Sequence, residues 1–222
     1  MDDLLIILIL VAAIILITSF RRVPGIGVVN ALAIIVLLFW VRGDGLVGLG
    51  FFLPESWTGT ILLSFLLGVG IQLASTLFLE PFSDRVTKST TDHSLFESLR
   101  GNLKNFLILL VSVWVLVSFL EEIIFRGYMM GDIAKLIGTS KPALAVNLVL
   151  TSVLFGLAHW YQGKSGALST GIIGAVLGIL FISSGFNLWL PILTHGFIDT
   201  IGLFLIYINT DKFLKERVKI LA

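Results

Sequence analysis

Long apolar runs leave this chain few ways to fold. A helix that crosses a bilayer needs about 20 mostly apolar residues, and the sequence supplies such stretches repeatedly, each stopped by charge, Gly or Pro. Residues 4–20 are closed by Arg21, Arg22 and Pro24, residues 28–41 by Arg42 and Asp44, and residues 60–79 by Glu80-Pro81. Four more runs cover 105–129, 143–160, 167–182 and 188–208. The pattern predicts an all-α integral membrane protein, a polytopic bundle of about seven transmembrane helices. A mean hydropathy of +1.04 and 13% charged residues agree, since soluble domains carry about 25% charge. A net charge of +1 gives no electrostatic case for a nucleic-acid partner. Zero cysteines exclude disulfides, thiolate metal sites and a cysteine nucleophile.

Between the runs, the acidic head Met1-Asp2-Asp3 and the cations after residue 20 read as a retained first span, not a removed secretory signal. Residues 46–57 are apolar and broken by Gly and Pro, which suits the membrane interface. Residues 83–103 form the one substantial polar loop. Within it Ser94-Leu-Phe-Glu97 has the spacing of a capping box. It predicts a short helix on the membrane surface with Leu95, Phe96, Leu99 and Leu103 along one side, preceded by a solvated His93. Residues 131–140 read as a polar connector, and 161–165 and 183–187 as turns. Cytoplasmic loops collect Lys and Arg. Seven spans with the N-terminus outside put Arg21, Arg22, Arg85, Lys88, Arg100, Lys104, Lys164 and the cations after 211 inside, against Arg42, Lys135 and Lys141 outside. One depth does not fit this scheme. His159 falls on the order of 10 Å below Glu121 and His195 at 1.5 Å per residue, so either 128–142 dips back into the bundle or the fifth span is misplaced.

The chemistry concentrates in three places. Residues 106–120 carry no charge, and then Glu121, Glu122 and Arg126 arrive together. Each charge at a bilayer centre costs roughly 2.5–3.5 kcal/mol on insertion scales, and such residues usually mark function. Glu122 and Arg126 are four apart, share a helix face and can pair. Glu121 lies about 100° round the helix and can meet a different neighbour. Phe155 and His159 are also four apart, with small Gly156 and Ala158 between them. His195 and Asp199 repeat that spacing, and an Asp one turn away can fix a histidine's tautomer. A glutamate base and two imidazoles in one cavity have the parts for water activation. Two histidines and a carboxylate are also a zinc-site inventory. Taken singly, each motif has a plainer reading: a structural ion pair, an interfacial histidine, a packing or proton-relay pair. Trp160, Tyr161 and Trp189 near span ends fit an aromatic belt.

Glu121-Glu122-x-x-x-Arg126, Phe155-x-x-x-His159 and His195-x-x-x-Asp199, in this order inside apolar spans, resemble the three signatures of the CPBP family. These are the intramembrane CAAX prenyl proteases and bacteriocin-processing proteins, also called Abi. The resemblance covers about 105–207. It implies a catalytic core at 104–210, preceded by membrane helices and an amphipathic loop at 1–103 and followed by a basic tail at 211–222. It further implies an endopeptidase acting on membrane-associated, CAAX-type peptides. Glu121 would be the base, His159 would hold the water, His195 and residue 199 would stabilise the oxyanion, and Glu122 with Arg126 would hold the site together. A zinc ion on Glu121, His159 and His195 and a metal-free glutamate–histidine mechanism are both compatible with it. Position 199 is Asp where the prenyl-processing branch has Asn. An ionised Asp cannot donate to an oxyanion, so it must be protonated or must orient His195. A non-catalytic immunity protein that binds a membrane peptide is the alternative, with a proton-coupled transporter behind it. The visible lack of repeat halves counts against the transporter. The short chain, without an organelle-targeting signal, suits a prokaryotic cytoplasmic membrane.

Overall fold

The computed structural model describes residues 45–211. The expected first and second spans, 4–20 and 28–41, and the tail beyond 211 lie outside the described residues. Within them the protein is all-helical, and five helices are long and apolar enough to cross a membrane. We label them α1 (Trp57–Thr87), α2 (Leu103–Ile137), α3 (Lys141–Ala158), α4 (Gly163–Ser183) and α5 (Trp189–Tyr207). They account for the expected third to seventh spans.

The helices pack through small and polar residues while large apolar side chains face outward, the arrangement expected where lipid is the solvent. On α1, Ser64 and Gly68 are buried and Leu62, Leu63 and Leu66 are exposed. A Cβ on Gly68 would run into Phe197 of α5, so the two helices touch backbone to side chain there. Gly156 of α3 lies against Ala167 and Gly171 of α4. Gly196 of α5 receives the Trp114 ring of α2, whose indole N–H donates to Thr200 at 2.9 Å. The core below these contacts is built from Phe125, Met129, Met130, Phe155, Phe181, Leu188 and Ile192.

Several boundaries differ from those read off the sequence. Glu80-Pro81 does not end the third span. A π-helical turn over Ser75–Leu79, with the Glu80 N–H bonded to the Ser75 carbonyl, precedes the proline, and α1 continues to Thr87. The wider turn accommodates the ring and its missing N–H. The longer α1 places Glu80 3.3 Å from His93, which is therefore paired and not simply solvated. Ser94–Leu99 forms a 3₁₀ helix with no side-chain cap, so the capping box does not form. The Ser94 N–H instead donates to the Asp92 carboxylate, at 2.8 Å. Leu99 is buried whereas Leu95 and Leu103 are exposed, so the expected shared apolar face is split. Arg100 then forks onto Asp211 at 2.7 and 2.9 Å, tying this loop to the end of α5. That carboxylate holds the guanidinium's pKa well above its ordinary value.

The largest correction concerns the expected connector at 131–140. Gly131–Ile137 is helical, with Asp132 fully buried and 3.3 Å from Lys135, so α2 runs unbroken for 35 residues. This removes the depth conflict without any re-entrant segment. Glu121 lies about 24 Å back from Ile137, and His159 about 27 Å on from Lys141, so the two come level. The 46–57 stretch packs back on the bundle: Leu49 is buried, and the Leu188 N–H bonds the Gly50 carbonyl at 2.8 Å. The 183–187 turn is present, with Gly185 and Phe186 at φ 70° and 63°. Trp189, expected in an interfacial belt, packs edge-on against Phe51, Trp57 and Phe119.

The α3–α4 contact gives a direct prediction. Gly156→Leu overfills a gap in which even a Cβ meets backbone, and overpacking costs about 1–3 kcal/mol. The melting temperature in detergent should fall. A variant that melts with the wild type would show that the two helices do not meet there.

Candidate active site

The centre of the site is one carboxylate oxygen. Glu122 is completely buried, and its Oε1 accepts from Arg126 Nη1 at 2.9 Å and from His195 Nδ1 at 2.8 Å. Arg126 is itself 2% exposed. Its Nη2 donates to the Gly174 carbonyl of α4 at 2.7 Å, and its Cζ sits 4.7 Å from the centroid of the Phe155 ring. Two buried charges are tolerable only when paired and hydrogen-bonded, and here both conditions hold. The pair joins α2 to α4 and α5 at once.

The two intramembrane histidines are held alike. His159, at the C-terminal end of α3, has Nδ1 2.9 Å from the Phe155 carbonyl. A carbonyl and an ionised carboxylate can only accept, so Nδ1 carries the proton in both rings. Each Nε2 is thereby turned the other way. Both point at Glu121: His159 Nε2 is 3.7 Å and His195 Nε2 3.9 Å from Glu121 Oε2. That oxygen is buried and has no hydrogen-bond partner in the protein, although the Glu121 side chain as a whole is 27% exposed. A buried acceptor flanked by two imidazole nitrogens is a place for a small polar group to bind and lose a proton. Asp199 reaches the same side, with Oδ2 3.5 Å from His195 Nε2.

All six residues singled out from the sequence thus gather at one place, and Glu121 and Glu122 diverge as the helical offset requires. The partnership differs in one respect. Asp199 was the expected tautomer-setting neighbour of His195, but the ring's Nδ1 is held by Glu122, distant in sequence. Tyr161, expected only as an interfacial aromatic, leans on His159 with ring centroids 5.7 Å apart. The sequence places it in a turn at 161–165; the structure confines the turn to Trp160–Gln162, with α4 starting at Gly163. Among the described residues, no group of three His, Asp or Glu side chains is placed to hold a metal ion. The expected set of Glu121, His159 and His195 stands with its facing atoms 3.7 and 3.9 Å apart.

Residues 103–201 match the family model described as type II CAAX prenyl endopeptidase, Rce1-like. This segment of the helical core resembles that family. The match begins at the start of α2 and ends just past Asp199, so it encloses the whole constellation. No curated protein and no solved structure matches the chain. The Rce1-like match and the five apolar helices together identify an integral membrane protein.

The shared Glu122 oxygen sets an expectation for stability. Glu122→Gln leaves the Arg126 guanidinium buried without a counter-charge, and breaking a buried pair in this way costs about 3–5 kcal/mol. Thermal unfolding in detergent should shift down sharply. An unchanged transition would mean that the charge of Glu122 is not what holds Arg126.

Proposed function

We propose that this protein is an intramembrane endopeptidase in which Glu121 activates water against a peptide carbonyl. The observation that carries the reading is the convergence of His159 Nε2 and His195 Nε2 on Glu121 Oε2. With Nδ1–H committed to the Phe155 carbonyl, His159 presents a lone pair that accepts one hydrogen of the attacking water. Glu121 takes the other as a proton while the water oxygen bonds to the carbonyl carbon. In its doubly protonated form His195 keeps Nδ1–H on Glu122 and donates Nε2–H to the oxyanion, and the Asp199 carboxylate steadies that imidazolium. Collapse breaks the C–N bond, and the proton held by Glu121 passes to the departing amine. Glu122 and Arg126 touch no reacting atom; they position His195.

The family match supports a reading of the substrate class. We infer membrane-associated peptides of CAAX type, prenylated near the scissile bond. The catalytic core is 104–210, the flanking segments are membrane anchorage and tail, and the N-terminus faces outward with the C-terminus inside, as the Lys and Arg distribution supports. Zinc on Glu121, His159 and His195 rests on the residue inventory and the resemblance, and no step above is routed through an ion.

The test is cleavage of a farnesylated CAAX peptide, and of a pool of membrane peptides, by purified protein in detergent. A positioned general base contributes about 10²–10⁴-fold, so Glu121→Gln should lose at least the lower figure with the fold intact. Wild-type cleavage surviving in Glu121→Gln would overturn the role of Glu121. The same assay with a chelator, followed by zinc restoration, reports whether metal takes part.

A further inference from the structure

The family match begins after a second element, the end of α1 and the loop that follows it, which bonds to the turn beyond His159. His159 ends α3, and its carbonyl accepts from the Gln162 N–H at 2.9 Å in the turn to α4. This turn, and with it the backbone that carries the imidazole, is tied down by residues 84–92. Ser165, completely buried in the first turn of α4, donates to Asp84 Oδ1 at 2.5 Å and accepts from the Thr91 hydroxyl at 3.1 Å. The Thr91 N–H donates to the same Asp84 oxygen at 3.2 Å. The Asp92 N–H donates to the Gln162 carbonyl at 2.9 Å. One carboxylate oxygen at the end of α1 therefore gathers the 88–92 loop and the start of α4. A further backbone bond runs from that loop straight to the His159 turn.

α3 and α4 already pack through Gly156 and Gly171, and the Gly156 carbonyl, three residues before His159, accepts the His159 N–H at 3.0 Å. What the Asp84 network does control is the turn itself, where α3 has ended and His159 is at the cap with non-helical φ and ψ of −94° and 15°. A reacting group displaced by about 1 Å can lose roughly 10²-fold in rate, and a cap residue has less local restraint than one inside a helix.

We propose that Asp84 is a positioning residue for His159, acting through Ser165, Thr91 and the α3–α4 turn. The inference rests on the endopeptidase reading. It extends the machinery to α1, outside the 103–201 match. It also specifies that the Asp84 oxygen acts as a hydrogen-bond acceptor and not through its charge. Asn offers an acceptor oxygen at the same place, whereas Ala offers none.

The experiment measures kcat, KM and the pH profile of kcat for wild type, Asp84→Ala, Asp84→Asn, Ser165→Ala and the Asp84→Ala/Ser165→Ala double variant, with melting temperatures alongside. Absence of cleavage by folded wild type would remove the endopeptidase reading itself, separately from this inference. Given wild-type activity, Asp84→Ala should lower kcat about tenfold or more, leave KM within about twofold and displace the pH profile. Asp84→Asn should recover most of the loss. Ser165→Ala should also lower kcat, and the double variant should lose less than the product of the two single losses, because both remove the Ser165–Asp84 bond. Wild-type kcat in Asp84→Ala would overturn the proposal. So would equal losses in Asp84→Ala and Asp84→Asn, or a loss that only tracks the folded fraction with an unchanged pH profile.

Discussion

One buried oxygen organises this protein. Glu122 Oε1 accepts from Arg126 and from His195, and through them links α2, α4 and α5. In a bilayer the hydrophobic effect does little to press helices together, and close packing with interhelical hydrogen bonds must do it. A fully desolvated ion pair is costly unless every polar atom around it is placed. Once α2 carries such a pair, the neighbouring helices are constrained to supply the Gly174 carbonyl, the Phe155 ring and the His195 ring at fixed positions. The site is thus a consequence of satisfying Arg126 and Glu122, and Glu121 is the residue on the same turn left over to face the cavity.

This division assigns different demands to adjacent residues. Both carboxylates keep a buried Oε2 with no hydrogen-bond partner in the protein. Glu122, however, is 0% exposed and committed through Oε1 to Arg126 and His195, whereas the Glu121 side chain is 27% exposed and its Oε2 faces two imidazole nitrogens. Catalytic groups need both access and a defined geometry, and the two carboxylates separate these needs. The imidazoles follow the same logic, each anchored through Nδ1 so that Nε2 is aimed. The π-helical turns of α2, over Val113–Val117 and Ile123–Met130, flank Glu121 and Glu122 on both sides. Turns of this kind inside long helices frequently accompany functional sites.

Much of this was legible in the sequence, for physical reasons. Apolar runs bounded by charges locate the spans, and four-residue spacings locate faces, so Glu122–Arg126 and the separate orientation of Glu121 could be read directly. The connector at 131–140 was misread because Asp132 and Lys135 look like loop residues. Their i, i+3 pairing and the burial of Asp132 are tertiary facts. Pro81 was read as a stop because nothing local announces the π-helical turn that accommodates it. The Glu122–His195 bond and the Asp84–Ser165 bond join residues far apart in sequence. No periodicity within one helix can reveal either, and the second lies partly outside the segment that resembles known families.

The most direct measurement of the central geometry is nitrogen NMR of histidine-labelled protein in lipid bilayers. With only three histidines, His93, His159 and His195 can be assigned by substitution. Protons should sit on Nδ1 of both His159 and His195. Glu121→Gln should move the Nε2 signals of both rings, and Glu122→Gln should move Nδ1 of His195 alone among the two. Nε2-protonated neutral tautomers, or a Glu121→Gln spectrum in which neither Nε2 signal moves, would contradict a site in which two anchored imidazoles face one catalytic carboxylate.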